Sequence, residues 1–238
     1  MISVCMATYN GEKYIREQID SILSQLSKND ELVISDDGST DDTRKIINHY
    51  VNNYKNIIFV DGPKKGVIKN FENALSHSKG EYIFLTDQDD IWIEGKVKRV
   101  MKELSFKNKL LVLHDAYIVN KDGDIIDNSF FDHRTSRPGL IRNLLKNSYL
   151  GCCMAFRREL LDVALPFPDK IEMHDWWIGL LGEASGKVCF INEKYLMYRR
   201  HGNNVSSFHH HPLKKMITNR IYFIVQLYKR MKRGKKNA

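Results

Sequence analysis

Four apolar runs, each followed by a segment of helical periodicity, limit this chain to one class of architecture. Residues 2–7 (ISVCMA), 31–35 (ELVIS), 56–60 (NIIFV) and 82–86 (YIFLT) are short and rich in β-branched and aromatic residues, as strands are. After the first, Ile15, Ile19, Ile22, Leu23 and Leu26 recur at helical spacing. The segment TDDTRKIINHYVNNY reads as a second helix with Thr40 or Asp41 as its N-cap, and GVIKNFENALSHS as a third that opens at Gly66. This alternation predicts an α/β fold with a mostly parallel sheet and helices on both faces.

Such a fold says where a ligand goes. In open α/β sheets, ligands bind beyond the carboxyl ends of the strands. The polar clusters of this sequence fall there: residues 8–11 (TYNG), 35–42 (SDDGSTDD) and 87–90 (DQDD). Three loops are therefore expected to converge on one crevice.

The DQDD cluster is costly in isolation. Two carboxylates ~5 Å apart repel by about 3 kcal/mol at an effective dielectric of ~20, so Asp87, Asp89 and Asp90 need a positive partner. Asp90 reads as the cap of a following helix. Asp87 and Asp89 are two apart and point the same way from an extended segment. Paired hard oxygens suit Mg²⁺ or Mn²⁺, and a plain turn is the alternative. The convergence of three polar loops favours the metal.

The second half is less regular. LLVLHDAYIVNKDGDIIDNS predicts a hairpin around a Lys-Asp-Gly turn. GLIRNLLKN is helical, residues 151–157 (GCCMAFR) are strand-like, and residues 174–186 form a helix ended by glycine. KVCFIN and YLMYRRHGNNVSS follow, so the sheet is expected to become mixed by gaining antiparallel strands late. No internal repeat or low-complexity linker interrupts the chain.

Other features narrow the setting. No run of ~18 apolar residues is present to span a bilayer. The first residues, MISVCMATYNG, lack a basic leader and read as a strand, not a signal peptide. Cys5, Cys152, Cys153 and Cys189 show no C-x-x-C spacing and predict buried, reduced thiols of a cytoplasmic protein. The net charge of +8 is local. Residues 212–238 hold nine Lys/Arg and no Asp/Glu, which leaves residues 1–211 with 28 basic against 29 acidic side chains. In that tail Ile217, Ile221, Ile224, Tyr228 and Met231 share one helical face, with Phe223 and Leu227 beside it. Thr218, Asn219, Gln226, Lys229 and Arg230 lie opposite. A basic amphipathic helix of this kind reads as membrane-surface binding, with packing on residues 1–211 as the alternative and no nucleic-acid partner.

Taken in order, VCMATYNGEKYI, ISDDGSTDDT, G-x-x-x-NFENAL, FLTDQDDIW, G-x-x-MAFRREL, HDWW and YRRHGNNVS resemble the family 2 glycosyltransferases. These are nucleotide-sugar enzymes of GT-A fold, with a Rossmann-like nucleotide-binding half and a mixed-sheet acceptor half. The resemblance covers roughly residues 1–206 and is strongest to bacterial rhamnosyl- and hexosyltransferases of surface polysaccharides. It implies that Thr8, Asn10 and Glu12 line the nucleotide site and that Asp36 or Asp37 meets base and ribose. Asp87 and Asp89 look like the D-x-D motif, with Asp87 on the nucleotide and Asp89 on the metal, Mn²⁺ or Mg²⁺. Asp175 stands where the family keeps its general base, and His174 where many members have Glu. His201 looks like a late metal or diphosphate contact, and Trp176 and Trp177 are candidates to stack on the acceptor.

The implied reaction moves one sugar, with inversion, from a UDP- or dTDP-sugar to a glycan or lipid-linked glycan. The enzyme would work in the cytoplasm, at the inner face of the cell membrane. The Q-x-x-R-W motif of processive synthases is absent. The organisation expected is a transferase domain over 1–211 and a basic tail over 212–238. Asp175 opens a helix, whose dipole is expected to lower its pKa. Lys64, Lys65 and Lys69 are expected at the surface, and the histidines at 209–211 to be incidental. The rival reading is a catalytically silent nucleotide-sugar-binding scaffold. Nucleotidyl transfer is disfavoured, because ATYNGEKY is not a Gly-rich, basic loop.

Overall fold

A computed structural model describes residues 1–202 and 213–234. The four expected runs are strands β1 (Ile2–Thr8), β2 (Glu31–Asp36), β3 (Ile57–Asp61) and β4 (Tyr82–Asp87). Helices α1 (Ile15–Leu23), α2 (Thr43–Asn53) and α3 (Val67–His77) connect them. β1 pairs with β2 and β4, and β2 with β3, all parallel. All seven residues of β1 are buried, which is why its sequence is mostly apolar rather than alternating. The helices lay their periodic residues on the sheet: Ile15, Ile19 and Ile22 from α1, Phe71, Ala74 and Leu75 from α3. α2 starts two to three residues later than the predicted cap. Asp41 still accepts the amide of Thr43 at 3.0 Å.

The chain continues through β5 (Ile91–Trp92), α4 (Lys96–Leu104), β6 (Leu111–Val119), β7 (Ile125–Asp127), α5 (Phe130–Arg134) and α6 (Leu140–Leu145). A 3-10 turn at Gly151–Cys153 leads into β8 (Met154–Arg157), α7 (Arg158–Ala164), α8 (His174–Ala184), β9 (Val188–Arg199) and α9 (Leu213–Gly234). The sheet order is β3-β2-β1-β4-β8-β6-β9-β5, with β7 on β6. β8 is antiparallel to β4 and β6, β9 parallel to β6, and β5 antiparallel to β9. The mixed sheet and the β6–β7 hairpin are therefore as expected. Residues 151–153 are a 3-10 turn rather than strand, and KVCFIN and YLMYR are one long strand whose register shifts against β6.

The C-terminal helix corrects the expected geometry of the tail. Phe223 and Leu227 do not accompany an outward apolar face. They are buried, with Phe223 4.8 Å from the Trp176 ring and 6.4 Å from Trp177. Arg220 donates to the Leu145 carbonyl at 3.0 Å, Arg230 to the Leu165 carbonyl at 2.7 Å, and Asn219 to Glu172. Ile217, Ile221, Ile224 and Tyr228 point to solvent. No described helix is long and apolar enough to cross a membrane. Cys5, Cys152 and Cys153 are buried free thiols, and Cys189 is only half-buried, 3.6 Å from Glu103. The segments Asn203–Ser206 and His209–His211 lie outside the described residues.

Candidate active site

The strand ends are tied together before any ligand arrives. At the end of β1 the chain turns sharply, with Asn10 in the left-handed region at φ 49°. The Gln88 side-chain amide from the β4 turn accepts from the Tyr9 amide at 2.9 Å and the Thr8 hydroxyl, and donates to the Tyr9 carbonyl at 3.0 Å. Gly11 is required here, because a Cβ would overlap that amide. Asn70 of α3, 2% exposed, donates to the Thr8 carbonyl at 3.1 Å and the Ser35 carbonyl at 2.9 Å. The first two loops are thereby fixed against α3.

They frame a cavity of about 900 Å³. Thr8, Asn10, Asp37, Asp87, Asp89, Asp175 and His201 all line it, which brings together most of the side chains singled out in the sequence. Four others do not. Glu12 turns away and accepts the Asp42 amide at 2.8 Å, bracing the loop before α2. Asp36 is buried beneath its loop, where it accepts from the Ser39 amide (3.0 Å), the Ser39 hydroxyl and Arg44 (2.8 Å). Of the doubled pair, Asp37 is the one that faces the cavity. It also accepts the amides of Lys64 and Gly66 at 2.7 Å each, which fixes the loop leading into α3.

Trp176 and Trp177 are not acceptor platforms. Both are core, their indole N–H groups donating to the carbonyls of Asn143 (2.7 Å) and Ala164 (3.1 Å). α8 is buried along most of its length, so neither indole finds an open face.

The acidic turn differs from the extended D-x-D expected. β4 ends at Asp87, and Gln88 and Asp89 form a turn. Asp89 meets His201 at 2.7 Å, and the His201 ring stacks on Tyr14 at 5.2 Å. Asp90 is no helix cap, since α4 begins five residues after the strand start at Ile91. It is fully buried, accepts the Arg199 amide at 3.0 Å and leaves its second oxygen without a hydrogen bond. Burial, then Asp89, pushes its pKa up to about 7. Asp87 is pushed well above the usual range, by burial first and then by Asp90, Asp89 and Asp175.

Two buried cations oppose these acids. Lys96 sits 4.0 Å from the Trp92 ring and donates to the Cys152 carbonyl at 2.8 Å; burial pulls its pKa down to about 8. Arg199, 3% exposed, donates to the Asp89 carbonyl (2.8 Å), the Lys121 carbonyl (3.1 Å) and Glu17 (2.7 Å).

Among the described residues, Asp87, Asp90 and Cys152 bring donor atoms within 4.8 Å of one another. Burial pushes the Cys152 thiol up and keeps it protonated, and Asp90 is engaged by Arg199. Asp87, Asp89 and His201 are the donors that line the cavity, and hard carboxylates suit Mg²⁺ or Mn²⁺. A carboxylate held as unfavourably as Asp87 fits a cation beside it.

Asp175 stands on another wall, in the first turn of α8, and accepts the Trp176 amide at 2.6 Å. Burial outweighs that amide and the helix dipole, so its pKa rises to about 6, opposite to the sequence expectation. Its neighbour His174 is buried with its ring stacked 3.9 Å from Phe71, and burial lowers its pKa to about 3. The position is therefore neutral. Gly151 lets this wall close, since a Cβ there would come within 3.1 Å of His174 and 3.3 Å of Asp175.

Tyr9, Gln88, Lys121 and Tyr198 also line the cavity and were not foreseen. Tyr9, Gln88 and Tyr198 sit inside quoted motifs, but the sequence does not say that Gln88 faces inward or that the Tyr9 ring is exposed.

The family model for Glycosyl transferase family 2 matches residues 3–164. The chain belongs to glycosyl transferase family 2. It is 30% identical over 214 residues to the dTDP-rhamnosyl transferase RfbG of Shigella flexneri, covering 84% of this chain and 72% of that protein. It is 31% identical over 203 residues to the UDP-Glc:alpha-D-GlcNAc-diphosphoundecaprenol beta-1,3-glucosyltransferase WfgD of Escherichia coli, covering 82% and 76%. Some relatives are longer, and the chain spans 60% of an uncharacterised Mycobacterium tuberculosis protein at 28% identity.

Among solved structures, the family 2 fold of this chain matches S. aureus TarS 1–349 in complex with UDP-GlcNAc. The TM-score is 0.74 at 22% identity, over 94% of this chain and 66% of that one. It also matches the mannosyltransferase PcManGT of Pyrobaculum calidifontis with GDP-Man and Mn²⁺. There the TM-score is 0.60 at 20% identity, over 98% and 64%. These likenesses place the mixed sheet in the GT-A fold.

Proposed function

We propose that this chain is an inverting, metal-dependent glycosyltransferase. It moves a single hexose or L-rhamnose from a UDP- or dTDP-sugar to a glycan, lipid-linked, in surface polysaccharide synthesis. One observation carries the reading: Asp175 shares a cavity with Asp87 and Asp89 but stands on a separate wall, near enough for its charge to raise the Asp87 pKa. A base and a leaving-group site are needed on opposite sides of the reacting carbon, and the shared cavity of these residues on two different elements supports that reading.

Thr8, Asn10 and Asp37 bind the nucleotide at the ends of β1 and β2. Asp89 and His201, with Asp87, would hold Mn²⁺ or Mg²⁺, which when bound supplies Lewis-acid stabilisation of a departing diphosphate. Asp175 takes the proton of the attacking hydroxyl. Attack from the face opposite the diphosphate inverts the anomeric centre, the geometric logic of one-step carboxylate-assisted displacement. At a pKa of about 6, Asp175 is ionised at neutral pH yet more basic than an ordinary carboxylate. The names of RfbG and WfgD support a rhamnosyl or glucosyl donor, and that of WfgD a lipid-linked acceptor. Residues 1–211 form the transferase unit, and the 212–238 tail holds it at the inner membrane surface from the cytoplasm.

The test is thermal shift with UDP, dTDP, GDP and CMP, each with and without Mn²⁺. A Mn²⁺-dependent shift with UDP or dTDP is expected, and it also narrows the donor. Folded protein that shifts with no nucleotide would overturn the reading. Binding without sugar transfer, across a panel of donors and acceptors, would favour the silent scaffold.

A further inference from the structure

α9 and α6 are in contact, and each carries an exposed apolar face. Ile217, Ile221, Ile224 and Tyr228 form one outward stripe, half to two-thirds exposed, while the opposite side of the same helix is docked through Phe223 and Leu227. α6 presents Ile141 and Leu145, 75% and 63% exposed. They are one helical turn apart and so share a face. The two helices touch, and Arg220 of α9 donates to the Leu145 carbonyl at 3.0 Å. Single exposed apolar residues are ordinary, but six large ones on two adjoining helices form a patch that calls for a partner.

Charge says which partner. Arg142 and Lys146 are exposed on and just after α6; on α9 Lys232 lies beside the stripe, and Lys229, expected opposite it, is exposed about 100° round the helical wheel. Residues 212–238 contain no acidic side chain. A second copy of this chain would set these cations against themselves. An anionic lipid surface complements them and takes up the apolar side chains below its headgroups.

We infer that α6 and α9 together form a rigid docking face for an anionic phospholipid bilayer. It rests on the proposed function only in its purpose, which is to hold the cavity at a fixed distance from lipid-linked acceptors. α8 provides the coupling: it packs on both helices, and Trp176, adjacent to Asp175, contacts Phe223 of α9. The general base is thus one residue removed from the docking helix.

The experiment is co-sedimentation of the whole chain with phosphatidylcholine vesicles, with and without phosphatidylglycerol. The variants are the α6 pair Ile141→Ser/Leu145→Ser, the α9 pair Ile221→Ser/Ile224→Ser, and Lys229→Gln/Lys232→Gln. All these side chains are exposed, so the fold should tolerate them; nucleotide thermal shift checks that the cavity is intact and tests the functional reading separately. Binding should require phosphatidylglycerol and weaken about tenfold in each apolar pair. Folded protein left in the supernatant with both vesicles would overturn the inference, as would full binding by the α6 pair. A homodimer dissolved by the same substitutions would assign the face to a second copy instead.

Discussion

Asp175→Asn separates a catalytic role for this residue from a structural one, because the two predict opposite effects on stability. Asparagine keeps the shape and can still accept the Trp176 amide, so the start of α8 is preserved. It removes a carboxylate whose pKa is raised from 3.8 to about 6, chiefly by burial. A group with a raised folded-state pKa disfavours folding once ionised. Stability is highest below the unfolded pKa, falls as pH rises between about 4 and 6, and is flat above. A shift of roughly two units corresponds to at most about 3 kcal/mol. Removing the charge should therefore raise Tm at pH 7.5, by about 2–4 °C for each kcal/mol recovered.

Activity should move the other way. Loss of a general base lowers kcat by about 10²–10⁴-fold, while UDP binding with Mn²⁺ should stay near that of the parent. In the parent, transfer should fall with an acid limb near pH 6 and at pH 5 retain about one-tenth of its plateau. The assay is sugar transfer across pH 5–8, read beside thermal melts of both proteins. Normal transfer by the variant would refute the base assignment. A fall in Tm together with lost nucleotide binding would show that Asp175 serves the fold.

Asp89→Ala and His201→Ala should each remove the Mn²⁺-dependent part of the UDP thermal shift, leaving the metal-free melt within about 1 kcal/mol of the parent for these cavity-lining residues. Mn²⁺ binding in the presence of UDP should release protons from the Asp87–Asp90 cluster, seen as a buffer-dependent heat in titration calorimetry; a buffer-independent heat would count against the raised pKa values. Gly179→Ala would drive a methyl group into the Tyr149 ring and should destabilise by about 1–3 kcal/mol in urea. Phe223→Ala should cost about 3–5 kcal/mol, because the ring is fully buried against two tryptophans; an unchanged urea midpoint would mean that α9 is not docked.

The parallel half of the fold was legible because β1, β2 and β4 are largely buried on both faces and each helix shows its periodicity. The later strands were harder. β9 reads as two segments because its register slips against β6, and the helix expected directly after Asp90 begins only at Lys96 because β5 intervenes. The site was legible as motifs but not as directions. Asp36 and Asp37 are equivalent in sequence, yet adjacent strand-end residues point apart, and Arg44 claims the inner one. Trp176 and Trp177 read as possible stacking residues only while α8 is imagined at the surface. The pKa of Asp175 could not be read at all, since burial arises from residues scattered over the chain.

The charge balance of the cavity wall explains why the strand ends in so many acids. Asp87, Asp89, Asp90 and Asp175 face one another closely enough that three of them raise the pKa of the fourth. Lys96 is the buried cation whose charge lowers the Asp90 pKa, and the charge of Arg134 acts on Asp175. The buried Arg199 guanidinium is held by Glu17 and by the Asp89 and Lys121 carbonyls. The acids outnumber their charged partners, and burial first, then mutual repulsion, makes Asp87 and Asp90 hold protons more tightly. A divalent ion at Asp89 and His201 would close that deficit. On the proposed reading, a divalent cation held there would also stand beside the departing diphosphate.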